Sequence, residues 1–242
     1  MHTVVLATQK GGSGKSTLSI GLALAAMHAG YRVRLIETDP QGTLSNWRKR
    51  RGNPEPLVET IFSIQEIEPR LKQLELSGVS LTIIDTAGGV SAVRTAAIRH
   101  ANLCLIPVRP STADVEATIS TLSLVRSWKK RFAFILNQTP PRGQRIDDAA
   151  ESLADDASSD LADVLARPFV VMRNDHQDAL SAGLSVSEFA PNGKSAEEIR
   201  SLWQWIQEKL VSGTFSAEQP ATTPSLAVAL PSLSTEPAAL AF

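Results

Sequence analysis

Between an apolar, β-branched run at residues 3–8 and a helical pattern that opens at Ser16, nine residues read Gln9-Lys10-Gly11-Gly12-Ser13-Gly14-Lys15-Ser16-Thr17. No other stretch constrains the fold as strongly. Glycines let backbone N–H groups turn inward and approach an anion closely, and the N-terminus of a helix adds the positive end of its dipole. Such a loop needs a strand to hold one end and a helix to hold the other. Lys15 is spaced to reach the β- and γ-phosphates of a nucleotide, and the Ser16 hydroxyl to sit on Mg²⁺. Thr17 then falls beside the α-phosphate. A plain strand-to-helix turn would account for the glycines but not for Gly14-Lys15-Ser16-Thr17. The loop departs from the pattern G-x-x-x-x-G-K-[ST], because Gln9 takes the first glycine position and Lys10 is an added cation. A dinucleotide fingerprint beginning at Gly12 would require glycine where Thr17 stands.

The remainder of the chain fits a sheet built around that loop. Apolar runs at 32–37, 80–85, 103–108, 132–137 and 168–172 lack clean polar alternation and are separated by helical patterns. Those patterns cover 16–29, 64–76, 91–100, 113–128, 146–165, 175–182 and 195–211. Together they predict an α/β fold with a mostly parallel sheet covered by helices on both faces. Residues 1–211 form one domain on this reading. Residues 212–242, rich in Ala, Ser, Thr and Pro and without lysine or arginine, are expected to be a disordered tail. With 24 lysines and arginines against 25 acids, a uniformly basic nucleic-acid coat is excluded, though a local patch is not. The single cysteine, Cys104, excludes a disulfide scaffold and a cysteine-rich metal centre, and lies in an apolar run as a buried thiol would. With no leader-like N-terminus and no apolar run of about 20 residues, the expectation is a soluble, cytoplasmic protein.

Ligands of open parallel sheets bind beyond the carboxyl ends of the strands, so the residues after each strand carry the chemistry. The second strand ends in Glu37-Thr38-Asp39-Pro40-Gln41-Gly42, two carboxylates suited to ordering metal-bound water and orienting an attacking water. The third ends in Asp85-Thr86-Ala87-Gly88-Gly89. An apolar strand closing on aspartate is suited to hold Mg²⁺, and the glycines let the next loop close on a γ-phosphate. Asn137 ends the fifth strand, where it would meet a purine edge or cap a turn.

Residues 10–17 have the form K-G-G-x-G-K-[ST]-T, which resembles the deviant Walker A box of the ParA/MinD ATPases. The likeness continues through residues 37–41, 85–88, Asn137, 178–184 and Ala190-Pro191. It implies a P-loop NTPase of the deviant Walker A type that takes ATP and Mg²⁺, forms ATP-sandwich homodimers, binds DNA non-specifically and answers to an adaptor that stimulates hydrolysis. Such a protein partitions or positions a plasmid, a chromosome region or other cargo, and is nucleoid-associated in its ATP state. On this resemblance Lys10 reaches the partner's nucleotide and Lys15 binds phosphate. The phosphate loop Gly11, Gly12, Ser13, Gly14, Lys15, Ser16 and Thr17, with Gly88, holds the nucleotide. Ser16 and Asp85 hold the metal, Asp39 serves water activation, and Asn137 meets adenine. Glu37 stands where aspartate is commoner, and Ala87-Gly88 replaces a frequent proline pair.

The resemblance places DNA contacts at Arg173 and Arg200, although Asp175 weakens the first. Two basic clusters, 48–51 and 129–131, are either further phosphate contacts or solvated helix ends. Seven acids between Asp147 and Asp163, with no lysine or arginine among them, make a face that repels DNA. A MinD-like membrane positioner is the first alternative. It calls for a basic amphipathic helix, whereas residues 199–210 carry only Arg200 and Lys209 as cations, so no stable membrane association is expected. A metabolic P-loop enzyme is the second. A reductase holding an iron–sulfur cluster between subunits would need two cysteines per chain, and no G-x-S-x-G or H-E-x-x-H motif is present.

Overall fold

A strand buried at every position needs cover on both of its faces, and three strands here, Leu81–Asp85, Leu103–Val108 and the short Val170–Val171, are of that kind. The computed structural model describes residues 1–157 and 161–212. The expected tail therefore lies, except for Ser212, outside the described residues. In chain order the elements are β1 (His2–Leu6), α1 (Lys15–His28), β2 (Val33–Glu37), α2 (Thr43–Arg50), β3 (Leu57–Thr60) and α3 (Ile64–Leu76). Then come β4 (Leu81–Asp85), α4 (Ala92–Arg99), β5 (Leu103–Val108), α5 (Thr112–Glu116), α6 (Ile119–Ser127) and β6 (Phe132–Thr139). The chain continues with α7 (Gln144–Ala157), α8 (Leu161–Val164), β7 (Val170–Val171), α9 (Asp175–Ser181), α10 (Val186–Phe189) and α11 (Lys194–Ser212).

The seven strands form one parallel sheet in the order β3-β2-β4-β1-β5-β6-β7. Successive side chains of a strand point to opposite faces, and the core divides accordingly. Val4, Leu6, Leu35, Leu81, Ile83, Leu103 and Leu105 pack with α1 and α11 on one side. Val5, Ile36, Ile84, Cys104 and Ile106 pack with α3, α4, α6 and α7 on the other. Helix α1 has no solvated face to speak of, because it lies between the sheet and α11. A Cβ on its Gly21 would stand 3.1 Å from Ile199 of α11. The helix that carries the phosphate loop is thus wedged in place.

The α/β class and parallel sheet agree with the sequence reading, and the differences are local. Helix α2, strand β3 and helix α10 were not anticipated, and the single helix expected over 113–128 is two, with Thr118 at the N-cap position of the second but making no side-chain cap. The basic cluster 48–51 is only partly solvated. Arg51 is buried, pairs bidentately with Glu188 at 2.6 and 2.8 Å, and stacks over Trp47. Arg50 donates to the Leu180 carbonyl, and the Trp47 indole N–H to Leu184 O at 3.1 Å. These contacts fasten α2 to the α9–α10 turn.

Candidate nucleotide site

β1 lies between β4 and β5, so the carboxyl ends of these strands converge beneath residues 9–14. Gly12 and Gly14 take left-handed φ values of +75° and +88°. At Gly14 space also forbids a side chain, since a Cβ there would sit 2.3 Å from Asn137 Nδ2. Two successive side chains from the end of β6 brace the loop. Asn137 donates to Ser13 O at 2.7 Å and Gln138 to Gly12 O at 2.9 Å. Gln138 is itself left-handed, with φ +54°. Asn137 additionally lines, with Gly14, Thr17, Met172, Arg173 and His176, a cleft beside the loop.

Lys15, at the head of α1, is 7% exposed. Its ammonium donates to Lys10 O at 3.5 Å, and burial lowers its pKa although Asp85 and Asp39 pull the other way. The Ser16 hydroxyl donates to Asp85 Oδ2 at 2.6 Å. Asp85 Oδ1 is buried and has no hydrogen-bond partner among the described residues. Burial pushes the Asp85 carboxyl up to about 7, against the opposing pull of the Ser16 hydroxyl and Lys15. A hydroxyl and a carboxylate oxygen beside an unpartnered buried one form a donor set that fits a hard divalent cation. A buried ammonium without a carboxylate against it fits an anion.

The two flanking loops are tied to this centre. Thr38 donates through its backbone and its hydroxyl to Asp85 O, at 2.9 and 3.1 Å. Asp39 is half-buried and accepts from Gln41 N at 2.9 Å. Glu37, grouped with Asp39 on sequence as a carboxylate facing the phosphates, is instead completely buried and turned to the first turn of α2. Its oxygens accept Leu44 N at 2.6 Å, Ser45 N at 3.1 Å and the Ser45 hydroxyl. Gly88 lies against the phosphate loop, where a Cβ would stand 3.4 Å from Gln9 O, and Gly89 N donates to that same oxygen at 2.7 Å.

Lys10 points away from Lys15 and donates to Asp114 Oδ2 at 2.9 Å. Asp114 is buried and also takes Arg109 Nε at 2.9 Å and the Ser111 hydroxyl. Sequence reasoning missed both Asp114 and Gln138. The available signals were Ser111-x-x-Asp114, the start of a helix directly after an apolar strand, and a second amide following Asn137. Of the two DNA candidates, Arg173 lines the cleft beside the loop and Arg200 does not. Arg173 pairs with Glu198 at 2.6 Å, while Arg200 is exposed and donates to Pro191 O at 2.9 Å.

A glycine-bent loop with a buried lysine, closed by a hydroxyl–aspartate pair at a strand end, is a nucleotide-site arrangement. Residues 4–186 match the CobQ/CobB/MinD/ParA nucleotide binding domain. The chain belongs to that family. Among curated relatives, Protein ParA of Rhizobium radiobacter is 33% identical over 127 residues, 52% of this chain and 56% of the relative. The chain thus spans about half the length of that relative. Maintenance of carboxysome distribution protein A of Gloeobacter kilaueensis is 29% identical over 214 residues, 86% of this chain and 94% of the relative. The fold is that of the septum site-determining protein MinD of Pyrococcus horikoshii OT3, solved with Mg-ADP. That match has a TM-score of 0.67 at 15% identity and covers 86% of this chain and 96% of the other. This member of the ParA/MinD group is therefore a P-loop protein with a seven-stranded parallel sheet.

Proposed function

We propose that the chain is an ATPase that cycles between a monomer and an ATP-dependent homodimer, binds DNA non-specifically as the dimer, and positions a cargo. The arrangement of Lys15, Ser16 and Asp85 is the observation that carries the reading. It sets a buried cation against the place of the phosphates and an unpartnered carboxylate oxygen next to the Ser16 hydroxyl. Ser16 and Asp85 would hold Mg²⁺, which when bound offsets phosphate charge. Backbone N–H groups of residues 11–17 orient the triphosphate, and Asn137 with Thr17 borders the cleft that takes the base. Asp39, free of the helix-capping role that occupies Glu37, orients the attacking water. Gly88 allows the loop after β4 to rest against residues 9–11, where a γ-phosphate is sensed. Lys10 exchanges Asp114 for the partner's nucleotide when two protomers meet.

Relatives named for plasmid partitioning and for carboxysome distribution support the positioning role. The apolar side of α11 supports a DNA rather than a lipid partner, because Ile199, Leu202, Trp203, Ile206 and Leu210 are buried against the domain. Trp203 also meets Tyr31 edge-on at 5.2 Å. Arg200 and Arg173 supply phosphate contacts that a dimer doubles, with an adaptor triggering hydrolysis and release. The protein on this reading is cytoplasmic and on the nucleoid while ATP is bound.

Titration calorimetry and turnover test the site together. Lys15→Ala is expected to weaken MgATP binding by about a hundredfold, equivalent to ~2.7 kcal/mol. Asp39→Ala is expected to retain binding while hydrolysis slows severely. Undiminished affinity in Lys15→Ala would overturn the site, and full turnover in Asp39→Ala would overturn the role given to Asp39.

A further inference from the structure

The cleft beside the phosphate loop, of about 150 Å³, has unequal walls. Leu18 and Val171 are buried in its inner side, whereas Met172 lines it and is 63% exposed. Met172 directly follows β7, and its backbone N–H donates to Thr139 O at 2.9 Å. The main chain is thus pinned at the end of the sheet while the thioether stands at the mouth of the cleft. The chain has three methionines, and the other two are packed. Met27 lies against the core on the α1 side. Met1 lies against the opposite core, and its sulfur accepts a hydrogen bond from the Thr82 hydroxyl at 3.1 Å. The one thiol, Cys104, is buried, and burial pushes it up to about 12, so it forms little of the reactive thiolate. The sulfur open to an aqueous oxidant is therefore concentrated at one residue, on the wall of the cleft that takes the base.

We propose that Met172 is an oxidation site: hydrogen peroxide converts its thioether to the sulfoxide, and the sulfoxide weakens nucleotide binding. The weakening rests on the nucleotide reading of the cleft given above. In the step, the sulfur lone pair attacks one peroxide oxygen, so that an S–O bond forms and the O–O bond breaks. Sulfur is oxidised by two electrons, and the other oxygen leaves with both protons as water. Unoxidised Met172 offers an aromatic base a polarizable, apolar cover. The sulfoxide sets a strongly polar oxygen beside that base, and the neighbouring Leu18, Val171 and Leu180 side chains give it no donor. Bound nucleotide in turn covers the sulfur. A dithiol acting through methionine sulfoxide reductase reverses the change, the dithiol becoming a disulfide and the oxygen leaving as water.

The test treats full-length protein with dilute hydrogen peroxide and follows each methionine by peptide mass spectrometry, with MgATP affinity measured by titration calorimetry before and after. Met172 is expected to be oxidised ahead of Met1 and Met27, and MgATP present during the treatment is expected to slow its oxidation severalfold. Full sulfoxidation of Met172 is expected to weaken MgATP binding about tenfold, and the reductase with a dithiol to restore it. Met172→Leu keeps an apolar cover without the reactive sulfur. It is expected to bind MgATP about twofold more weakly than the untreated protein and to lose nothing further to peroxide. Earlier oxidation of Met1 or Met27, no protection by MgATP, undiminished affinity after sulfoxidation of Met172, or an equal peroxide loss in Met172→Leu would each overturn the proposal and leave the nucleotide site standing. Absence of MgATP binding before any treatment would overturn the nucleotide reading and this proposal with it.

Discussion

Asp85 holds its proton more tightly in the folded chain than in the unfolded one, because burial raises its carboxyl to about 7 from an ordinary 3.8. The folded state then binds the extra proton, so this residue lowers stability as pH rises from about 4 to about 7, with no further loss above. Asp85→Asn retains a partner for Ser16 without the charge. In the absence of nucleotide it is expected to raise stability at pH 8 by up to about 4 kcal/mol, with the gain vanishing near pH 4. Thermal unfolding at the two pH values checks this. Magnesium-dependent nucleotide binding is expected to strengthen as pH rises through 7 and to release protons. Arg94 poses a related problem. It is 4% exposed, and its Nε and Nη1 make no hydrogen bond among the described residues. Arg94→Met is expected to stabilise the protein by about 1–3 kcal/mol in urea unfolding, since a buried guanidinium left partly unsatisfied costs more than an apolar replacement. The string from Lys10 to Thr17 was legible at this scale because its chemistry is contiguous. Asp114 and Gln138 were not, because the atoms they touch belong to Lys10 and Gly12, more than a hundred residues earlier.

Helix α2 illustrates how an element is fixed by a residue outside it. Gly42 at its N-cap has no side chain, and Glu37, at the end of β2, reaches over to accept Leu44 N and Ser45 N in its place. Glu37→Ala is expected to cost about 2 kcal/mol, measured by urea unfolding, and to slow turnover by loosening the segment that carries Asp39. The same arrangement explains why α2 escaped the sequence reading. Thr43–Arg50 buries only Leu44 and Trp47, too few apolar positions to show a helical period, and its anchors come from β2 and the α9–α10 turn. β3 escaped for a related reason. It is a four-residue edge strand preceded by Pro54 and Pro56, with Leu57 exposed, and only its pairing with β2 defines it. The central strands were legible because both of their faces are buried, which leaves an unbroken apolar run. The helix read over 113–128 missed its break because Ala117 and Thr118 carry no glycine or proline to announce one.

For the whole molecule, the pair between Lys10 and Asp114 keeps a partly exposed cation occupied within its own chain. If Lys10 serves a neighbouring nucleotide, Lys10→Ala is expected to retain most ATP affinity while losing the ATP-dependent dimer, and light scattering with ATP and with ADP decides the point. Arg200→Glu is expected to preserve that dimer and to weaken DNA binding at every sequence tested. Unchanged DNA binding would remove Arg200 from the contact surface without touching the nucleotide site. The central place of β1 has a further consequence, for synthesis rather than for turnover. A ribosome delivers Val4, Val5 and Leu6 well before their neighbours in the sheet, residues 83–85 and 103–105. β1 therefore leaves the exit tunnel with both edges open, and must be shielded until two later strands arrive to flank it. The phosphate loop waits longer still, since Asn137 and Gln138 brace it. A nascent chain paused before β6 carries the complete glycine string but not the fold that shapes it.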